Sequence, residues 1–185
     1  MATAPTQKLT PEEYLAQDRE AEFKSEYLNG GVFPMAGVSF RHAKIVSNLI
    51  VELRRNSICH VLSSDLRLHI GATGLFTYPD VMVICGKPRF LDGVFDTVLN
   101  PDVLIEVLSK STKDYDRGEK FESYRTLDSL HEYLTIAQDK VHVEHYVRQP
   151  DSRWVLTEYR EPSASLEILG GNHPIAAIYE DVDFA

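Results

Sequence analysis

Two carboxylates lie at the edges of apolar segments that are typical of β-strands. Asp80 follows a proline in "YPDVMVIC" and precedes five apolar residues, and Glu106 lies within "DVLIEVLS". The separation is 106 − 80 = 26 residues, and "GKPRFLDGVFDTVLNP" between them is long enough for a hairpin-like connection. If the strands are neighbours, the two carboxylates can meet at one edge of a sheet.

Plainer interpretations of both residues stay open. A carboxylate among Val, Leu and Ile is costly to bury unless it is paired, hydrogen-bonded or metal-bound, so Glu106 could equally well face solvent. Pro-Asp commonly initiates a strand, which favours a structural role for Asp80 taken alone. Two carboxylates at one point, however, are hard oxygen ligands suited to Mg²⁺ or Mn²⁺, whereas no Cys/His spacing indicates zinc.

A lysine on the following helix could complete such a site. Asp116, Lys120 and Tyr124 in "STKDYDRGEKFESYRTLD" are spaced i, i+4 and i+8, so they share one helical face. The lysine could stabilise charge on a phosphate or orient a water, and the plainer alternative is an Asp116–Lys120 helix pair. For His42, near the start of the preceding long helix, a structural role is favoured over contact with a ligand.

Several other chemistries lack their motifs. The sequence has no G-x-S-x-G, P-loop or G-x-G-x-x-G pattern. Cys59 and Cys85 lie in apolar surroundings, so we expect free, buried thiols and no covalent catalysis. The N-terminus lacks the build of a signal peptide, and no apolar run approaches the roughly 20 residues that cross a bilayer. We therefore predict a cytoplasmic protein without a membrane partner.

Length and charge bound the remaining possibilities. The 185 residues, with 43% hydrophobic and 25% charged side chains, predict a single domain over residues 1–185. A net charge of −9 and a pI near 5.2 argue against a broad basic surface for nucleic acid, although a local basic patch is compatible with both.

Turn and cap signals predict the elements of the N-terminal half. In "LTPEEYLAQ", Thr10 is a candidate N-cap, Pro11 takes the first helical position and Glu13 closes a capping box. "EFKSEYLNGGVFPMAG" predicts a hairpin that turns at residues 29–31. An apolar face of helical period then predicts a long helix over about residues 39–57.

The rest of the chain predicts a layered α/β (α+β) architecture. Continuous apolar runs in "HVLSSDLRLHI", "YPDVMVIC" and "DVLIEVLS" favour strands covered on both faces, and Ser111 or Thr112 is expected to cap the next helix. "EYLTIAQ", "KVHVEHYVR" and "RWVLTEYR" favour antiparallel strands, and "NHPIAAIYEDV" a short closing helix. Together these segments predict a central sheet flanked by helices, with additional antiparallel strands.

The ordered motifs resemble a known family. "PEEYLA", "KSEYLNGGVFPMAG", "RHAKIVSNL", "SSDLRL", "YPDVMV", "IEVLSKST", "DYDRGEKFESYR" and "VEHYVR", from about residue 9 to about 148, are similar to the Uma-two family. That family is a branch of the PD-(D/E)XK restriction-endonuclease-like superfamily. The resemblance implies a restriction-endonuclease-like core of α-β-β-β-α-β type, with a mixed central sheet flanked by helices. It also implies Mg²⁺-dependent cleavage of a DNA phosphodiester.

The resemblance also assigns roles to individual residues. Asp80 matches the aspartate of "PD" and Glu106 the acidic residue of "(D/E)XK", so both would hold the metal, with the carbonyl of Val107 as a further ligand. Glu26 in "KSEY" matches the early glutamate of that active site. With Lys120, the implied catalytic set is Glu26, Asp80, Glu106 and Lys120.

The lysine is where the sequence departs from the superfamily pattern. The third position of "EXK" is Leu108, and Lys120 in "RGEKF" is the matching candidate on the next helix. Lys110 is a second candidate, and Asp65 in "SSDLRL" is expected to line the same cleft.

Two functions from different classes follow. The first is a metal-dependent endonuclease that acts on DNA with Mg²⁺, or with Mn²⁺ as a substitute. The second is a catalytically inactive binding or assembly protein on the same fold, with a homodimer as one form of assembly. Hydrolysis of another phosphate ester would use the same metal and stays open, because a fold does not fix its substrate.

Overall fold

Local sequence signals produce the first elements of the structure, a computed structural model that describes residues 8–55, 58–109 and 113–184. The Thr10 hydroxyl accepts a hydrogen bond from the Glu13 N–H, and the Glu13 carboxylate accepts one from the Thr10 N–H, which starts helix α1 (Pro11–Glu20). Strands β1 (Ser25–Leu28) and β2 (Gly31–Pro34) form a hairpin whose turn places Asn29 and Gly30 at φ values of 51° and 87°. The capping box and the hairpin are thus confirmed.

The other elements follow in chain order. They are α2 (Phe40–Arg54), β3 (His60–Ser63), β4 (Arg67–Ile70), β5 (Leu75–Thr77), β6 (Val81–Ile84), β7 (Thr97–Val98), β8 (Val103–Leu108), α3 (Lys113–Tyr115), a π-helical segment (Asp116–Lys120), α4 (Phe121–Tyr124), β9 (Glu132–Ala137), β10 (Val143–Arg148), β11 (Trp154–Tyr159), β12 (Ser165–Ile168), β13 (Gly171–Pro174) and α5 (Ile175–Ile178). None of the helices in the described ranges is both long enough and apolar enough to cross a membrane.

A six-stranded mixed sheet forms the centre, in the order β11-β10-β9-β8-β6-β3. β8 pairs antiparallel with β6 and parallel with β9, and β9, β10 and β11 are antiparallel neighbours. A second sheet has the order β2-β1-β5-β4-β7, and β12 pairs with β13. The predicted mixed sheet flanked by helices, with additional antiparallel strands, is confirmed.

Both faces of the central sheet are covered, which explains the continuous apolar runs of β6 and β8. Ile105 packs in one cluster with residues of α2 and α5, whereas Leu104 packs in another with residues of β4, β5 and α4. Because side chains alternate along a strand, Glu106 lies on the face of Leu104, toward the helix that carries Lys120.

Some boundaries differ from the prediction. "HVLSSDLRLHI" is two strands, β3 and β4, which belong to different sheets because the chain turns between them. The hairpin β12–β13 was not predicted, and it precedes a closing helix of only four residues. α2 ends at Arg54, and the candidate caps Ser111 and Thr112 lie outside the described residues.

The prediction of free thiols was wrong. Cys59 and Cys85 form a disulfide with an S–S distance of 1.97 Å and a Cα–Cα distance of 4.4 Å. Both residues are half-buried. β3 and β6 pair antiparallel with His60 opposite Ile84, so the next residue pair outward is Cys59 and Cys85. Because the two cysteines are 26 residues apart in sequence, the local sequence did not indicate this pairing.

Candidate active site

Asp80 and Glu106 lie opposite each other where β6 begins. The antiparallel register of Val81 with Ile105 extends by one step to this pair. The Asp80 N–H faces Glu106 Oε2 at 3.4 Å, and Asp80 Oδ2 accepts a hydrogen bond from the Val107 N–H at 2.8 Å. The pairing of β6 with β8 therefore brings the two carboxylates together at a strand edge, as predicted.

Lys120 reaches this pair from the π-helical segment. Its Nζ lies 3.0 Å from Glu106 Oε1, 3.1 Å from Glu26 Oε1 and 3.5 Å from Asp116 Oδ1. Only 7% of the lysine side chain is exposed. From the sequence, Lys120 could either pair with Asp116 on its own helix or reach the carboxylates across the cleft. Both contacts are present in the structure.

Glu26 is brought in by the second sheet. β1 pairs antiparallel with β5, with Tyr27 opposite Phe76, and the Thr77 hydroxyl donates a hydrogen bond to Glu26 Oε1. β5 ends three residues before Asp80, so this pairing sets Glu26 beside the start of β6. The structure thus gathers Glu26, Asp80, Glu106 and Lys120.

The electrostatics of the cluster follow from burial. Burial raises the pKa of Glu106 to about 8, opposed by Lys120 and reinforced by Asp80 and Asp116. Burial by itself would lower the pKa of Lys120, but Glu106 and the other neighbouring groups raise it well above its ordinary value. The ammonium therefore keeps its proton, and it lies within 3.5 Å of the carboxylates of Glu26, Glu106 and Asp116.

The donor set fits a hard divalent cation. Among the described contacts, Asp80 Oδ1 accepts no hydrogen bond, and Glu106 Oε2 faces only the Asp80 N–H at 3.4 Å. Each carboxylate therefore retains an oxygen that could bind a cation, and Mg²⁺ is commonly bound through one or two carboxylates. A dication would also favour the charged form of Glu106, whose pKa is raised mainly by burial.

Two further residues hold the carboxylates in place. The His42 Nε2 lies 3.0 Å from Asp80 Oδ2, while its buried Nδ1 has no hydrogen-bond partner in the described part of the chain. Asp80 Oδ2, which also accepts from the Val107 N–H, accepts this hydrogen bond from the His42 Nε2–H. The Tyr124 hydroxyl donates to Glu106 Oε1 at 2.6 Å. Sequence spacing had placed Tyr124 on the right face, but the contact of His42 with Asp80 was missed.

Asp65 was also expected to line this site, but its described contacts are with other residues. Asp65 pairs with Lys24 at 2.5 Å, and 84% of its side chain is exposed. Its described partners are Lys24 and Ser63, so the expectation that Asp65 lines the site has no support in these contacts. Lys110 lies outside the described residues.

Comparison with known proteins identifies the family. The model of Uma2, described as "Putative restriction endonuclease", matches residues 11–173. This chain belongs to the Uma2 family.

Two proteins from Synechocystis sp. (strain ATCC 27184 / PCC 6803 / Kazusa) are similar to this chain along almost their whole length. The uncharacterized protein sll1609 is 39% identical over 170 residues, which is 90% of this chain and 96% of that protein. The uncharacterized protein slr1290 is 33% identical over 186 residues, covering 98% and 97%.

A solved structure shares the fold. The crystal structure of "a putative nuclease belonging to DUF820" from Anabaena variabilis ATCC 29413 superposes with a TM-score of 0.73 at 19% identity. The match covers 92% of this chain and 97% of that one. The restriction-endonuclease-like fold expected from the Uma2 resemblance is confirmed.

In this Uma2 chain the motif position 108 contributes no charge to the cluster. Leu108 is buried at the end of β8, and its carbonyl accepts a hydrogen bond from the Gln138 side chain at 2.9 Å. The ammonium group near Glu106 comes instead from Lys120, twelve residues further along the chain.

Proposed function

We propose that this chain is a Mg²⁺-dependent endonuclease that hydrolyses DNA phosphodiester bonds, with Mn²⁺ as a substitute. One observation carries the proposal: Asp80 and Glu106 face each other across β6 and β8, with the Lys120 ammonium 3.0 Å from Glu106. Asp80 and Glu106 would hold the metal, with the Val107 carbonyl as a further ligand. The family match and the shared fold support a nuclease in general terms.

The chain's own residues orient the groups that this reaction needs. Mg²⁺, when bound, supplies an activated water and neutralises charge on the phosphate. His42 and the Val107 N–H fix Asp80 through its Oδ2 oxygen, which leaves Oδ1 for the cation. Tyr124 and Lys120 similarly fix Glu106 through Oε1.

Lys120 would act on the phosphate or the attacking water, and Glu26 restrains Lys120. The Lys120 ammonium lies 3.0 Å from Glu106 and would stabilise negative charge on the phosphate or orient the attacking water. Glu26, held by the Thr77 hydroxyl, restrains the lysine from the opposite side at 3.1 Å. The lysine is thereby held in place before substrate arrives, which lowers the entropic cost of the reaction.

The test is cleavage of plasmid and linear DNA by the purified chain with Mg²⁺ or Mn²⁺. Asp80→Ala and Glu106→Gln are each expected to reduce the rate by a factor of about 100 or more, a loss typical of removing a group that stabilises charge in a transition state. Glu122→Gln, an exposed carboxylate nearby, is the matched control and should retain activity. Circular dichroism verifies that the variants fold. Unchanged cleavage by both site variants would refute the proposal.

A catalytically inactive binding or assembly protein is the second candidate. It is favoured by the internal pairing of the site, since Lys120 and His42 already engage Glu106 and Asp80. A calorimetric titration with Mg²⁺ separates the two candidates. Binding in the millimolar range or tighter supports the nuclease, and no binding supports the inactive protein.

Three further predictions belong to this proposal. Activity on a small phosphodiester but not on DNA would point to another phosphate ester as substrate. A homodimer stays a prediction, to be tested by sedimentation of the purified chain. A cytoplasmic location likewise stays a prediction, to be tested by cell fractionation.

A further inference from the structure

A row of polar side chains crosses the central sheet from the candidate site toward its edge. Glu106 on β8 is the register partner of Thr135 on β9, Thr135 that of Glu144 on β10, and Glu144 that of Glu158 on β11. Cross-strand partners project from the same face of a sheet. Glu144 therefore lies on the face of Glu106, two strands away, or roughly 10 Å at the usual strand spacing.

The helical segment that carries Lys120 lies over this row. Arg117 donates a hydrogen bond from Nε to Glu144 Oε2 at 2.8 Å, and Lys120 contacts Glu106 at 3.0 Å. Between them, the hydroxyl of Tyr133 on β9 donates to the Asp116 carbonyl at 3.0 Å. The segment thus crosses three strands, with one polar contact on each.

This segment has little intrinsic tendency to hold its shape. It consists of three α-helical residues, five π-helical residues and four α-helical residues, and Gly118 lies within the π-helical part. Isolated helices this short are unstable, glycine weakens them further, and π-helical turns occur mostly where function requires them. Contacts with the sheet must therefore set the position of Lys120.

Glu144 is well suited to such a contact. Only 12% of its side chain is exposed, and its Oε2 also accepts a hydrogen bond from the Thr135 hydroxyl at 2.7 Å. The hydrogen bonds from Arg117 and Thr135 lower the pKa of Glu144 despite its burial, so it is a charged, fixed acceptor.

The same carboxylate belongs to a cluster that resembles a metal site. Ligand atoms of His142, Glu144 and Glu158 all lie within 4.8 Å of one another. However, Arg117 and Arg160 already neutralise the two carboxylates at 2.8 Å. Two guanidinium groups would repel a cation there, so the cluster is better explained as an ion-pair network.

We propose that Glu144 and Arg117 are positioning residues, which fix the π-helical segment so that Lys120 meets Glu106. The proposal rests on the proposed nuclease function for its catalytic consequence. Among the described contacts, Arg117 and Glu144 do not meet Asp80 or Glu106. Both would therefore act through the backbone between Arg117 and Lys120. A displacement of the ammonium by about 1 Å is enough to lower a reaction rate by about 100-fold.

The first test is steady-state DNA cleavage by Glu144→Gln, which keeps the size of the side chain and an acceptor for Thr135. We expect kcat to fall by about 10- to 100-fold, with KM for DNA and the dependence on Mg²⁺ concentration changed less than about twofold. Glu158→Gln, in the same row but exposed and paired with His142 and Arg160, is the matched control and should behave like wild type. A wild-type kcat for Glu144→Gln, or a change confined to KM, would overturn the proposal.

The second test does not need activity. A double-mutant cycle of Glu144→Gln and Lys120→Met is measured by urea unfolding in about 0.5 M salt, where charges roughly 10 Å apart are screened. Lys120→Met changes the unfolding equilibrium constant by some factor in the wild-type background. In the Glu144→Gln background, that factor should be smaller by about fivefold or more. The cycle with Glu158→Gln should be additive.

The two tests separate this proposal from the nuclease function. Additive effects of Glu144→Gln and Lys120→Met would overturn the positioning role, whether or not the chain cleaves DNA. If the effects of Glu144→Gln and Lys120→Met are coupled but the wild-type chain does not cleave DNA, the positioning role is supported and the nuclease assignment is overturned.

Discussion

Glu106→Gln should remove a dependence of folding stability on pH that comes from burying this one carboxyl group. Burial raises its pKa from 4.5 to about 8. Below pH 4.5 the group is protonated in both the folded and the unfolded chain, so it costs nothing. As pH rises from there to about 8, the unfolded chain loses the proton while the folded chain retains it, and the free energy of unfolding falls.

The magnitude follows from the difference between the two pKa values. At about 1.4 kcal/mol for each pKa unit, the change from 4.5 to about 8 corresponds to a loss of roughly 5 kcal/mol that is complete above pH 8. Glutamine has nearly the same shape and does not titrate. Its amide can still accept hydrogen bonds from Tyr124 and Lys120 through its oxygen.

The assay is urea unfolding of wild type and Glu106→Gln at several pH values between about 4.5 and 9. Other titrating groups are common to both chains, so the difference in unfolding free energy between them isolates Glu106. Glu119→Gln, an exposed carboxylate on the same helical segment, is the matched control. Saturating Mg²⁺ should flatten the wild-type curve, because a bound dication favours the carboxylate form, and should leave Glu106→Gln unchanged. A difference that stays constant across this pH range would refute the burial argument.

Three other perturbations test the polar contacts and the disulfide. Lys120→Met leaves the buried carboxylates around it without a compensating charge, and at about pH 9, where Glu106 is ionised, it should lower stability by about 3–5 kcal/mol. A loss below about 1 kcal/mol in urea unfolding at that pH would contradict the buried pairing. Reducing the Cys59–Cys85 disulfide, which closes a loop of 26 residues, should cost about 3.5 kcal/mol; equal melting temperatures with and without reductant would show that it contributes little. Arg67→Met breaks an ion pair with Asp18 at 2.7 Å, in which 5% of the arginine and 1% of the aspartate side chain are exposed. The loss of stability should be about 3–5 kcal/mol, measured by calorimetric melting. A loss in the double variant Asp18→Asn/Arg67→Met that is smaller than the sum of the two single losses would confirm the coupling.

Features set by a few adjacent residues were predictable. The capping box of Thr10 and Glu13 and the turn at Asn29 depend on local hydrogen bonds and backbone angles, so they appear where the sequence indicates them. The shared face of Lys120 and Tyr124 follows from helical spacing alone, although their segment is partly π-helical.

Features set by strand registers were not predictable. His42 contacts Asp80 only because α2 packs against the sheet with its first turn at the start of β6. The disulfide of Cys59 and Cys85 exists because β3 and β6 pair in one register. A shift of the β3–β6 register by one residue would move a cysteine to the opposite face of the sheet, and no local signal fixes that register.

The sequence by itself determined the chemical content of the candidate site: two carboxylates beside apolar strands, an early glutamate in a family motif, and a lysine at helical spacing. Only the tertiary structure decided that these groups meet. Glu26 arrives through the pairing of β1 with β5, Glu106 through that of β6 with β8, and Lys120 through the contacts of the π-helical segment with the sheet. Pairings between distant segments depend on the packing of the whole core. The candidate residues can therefore be identified from the sequence, but their positions relative to one another follow only from the fold.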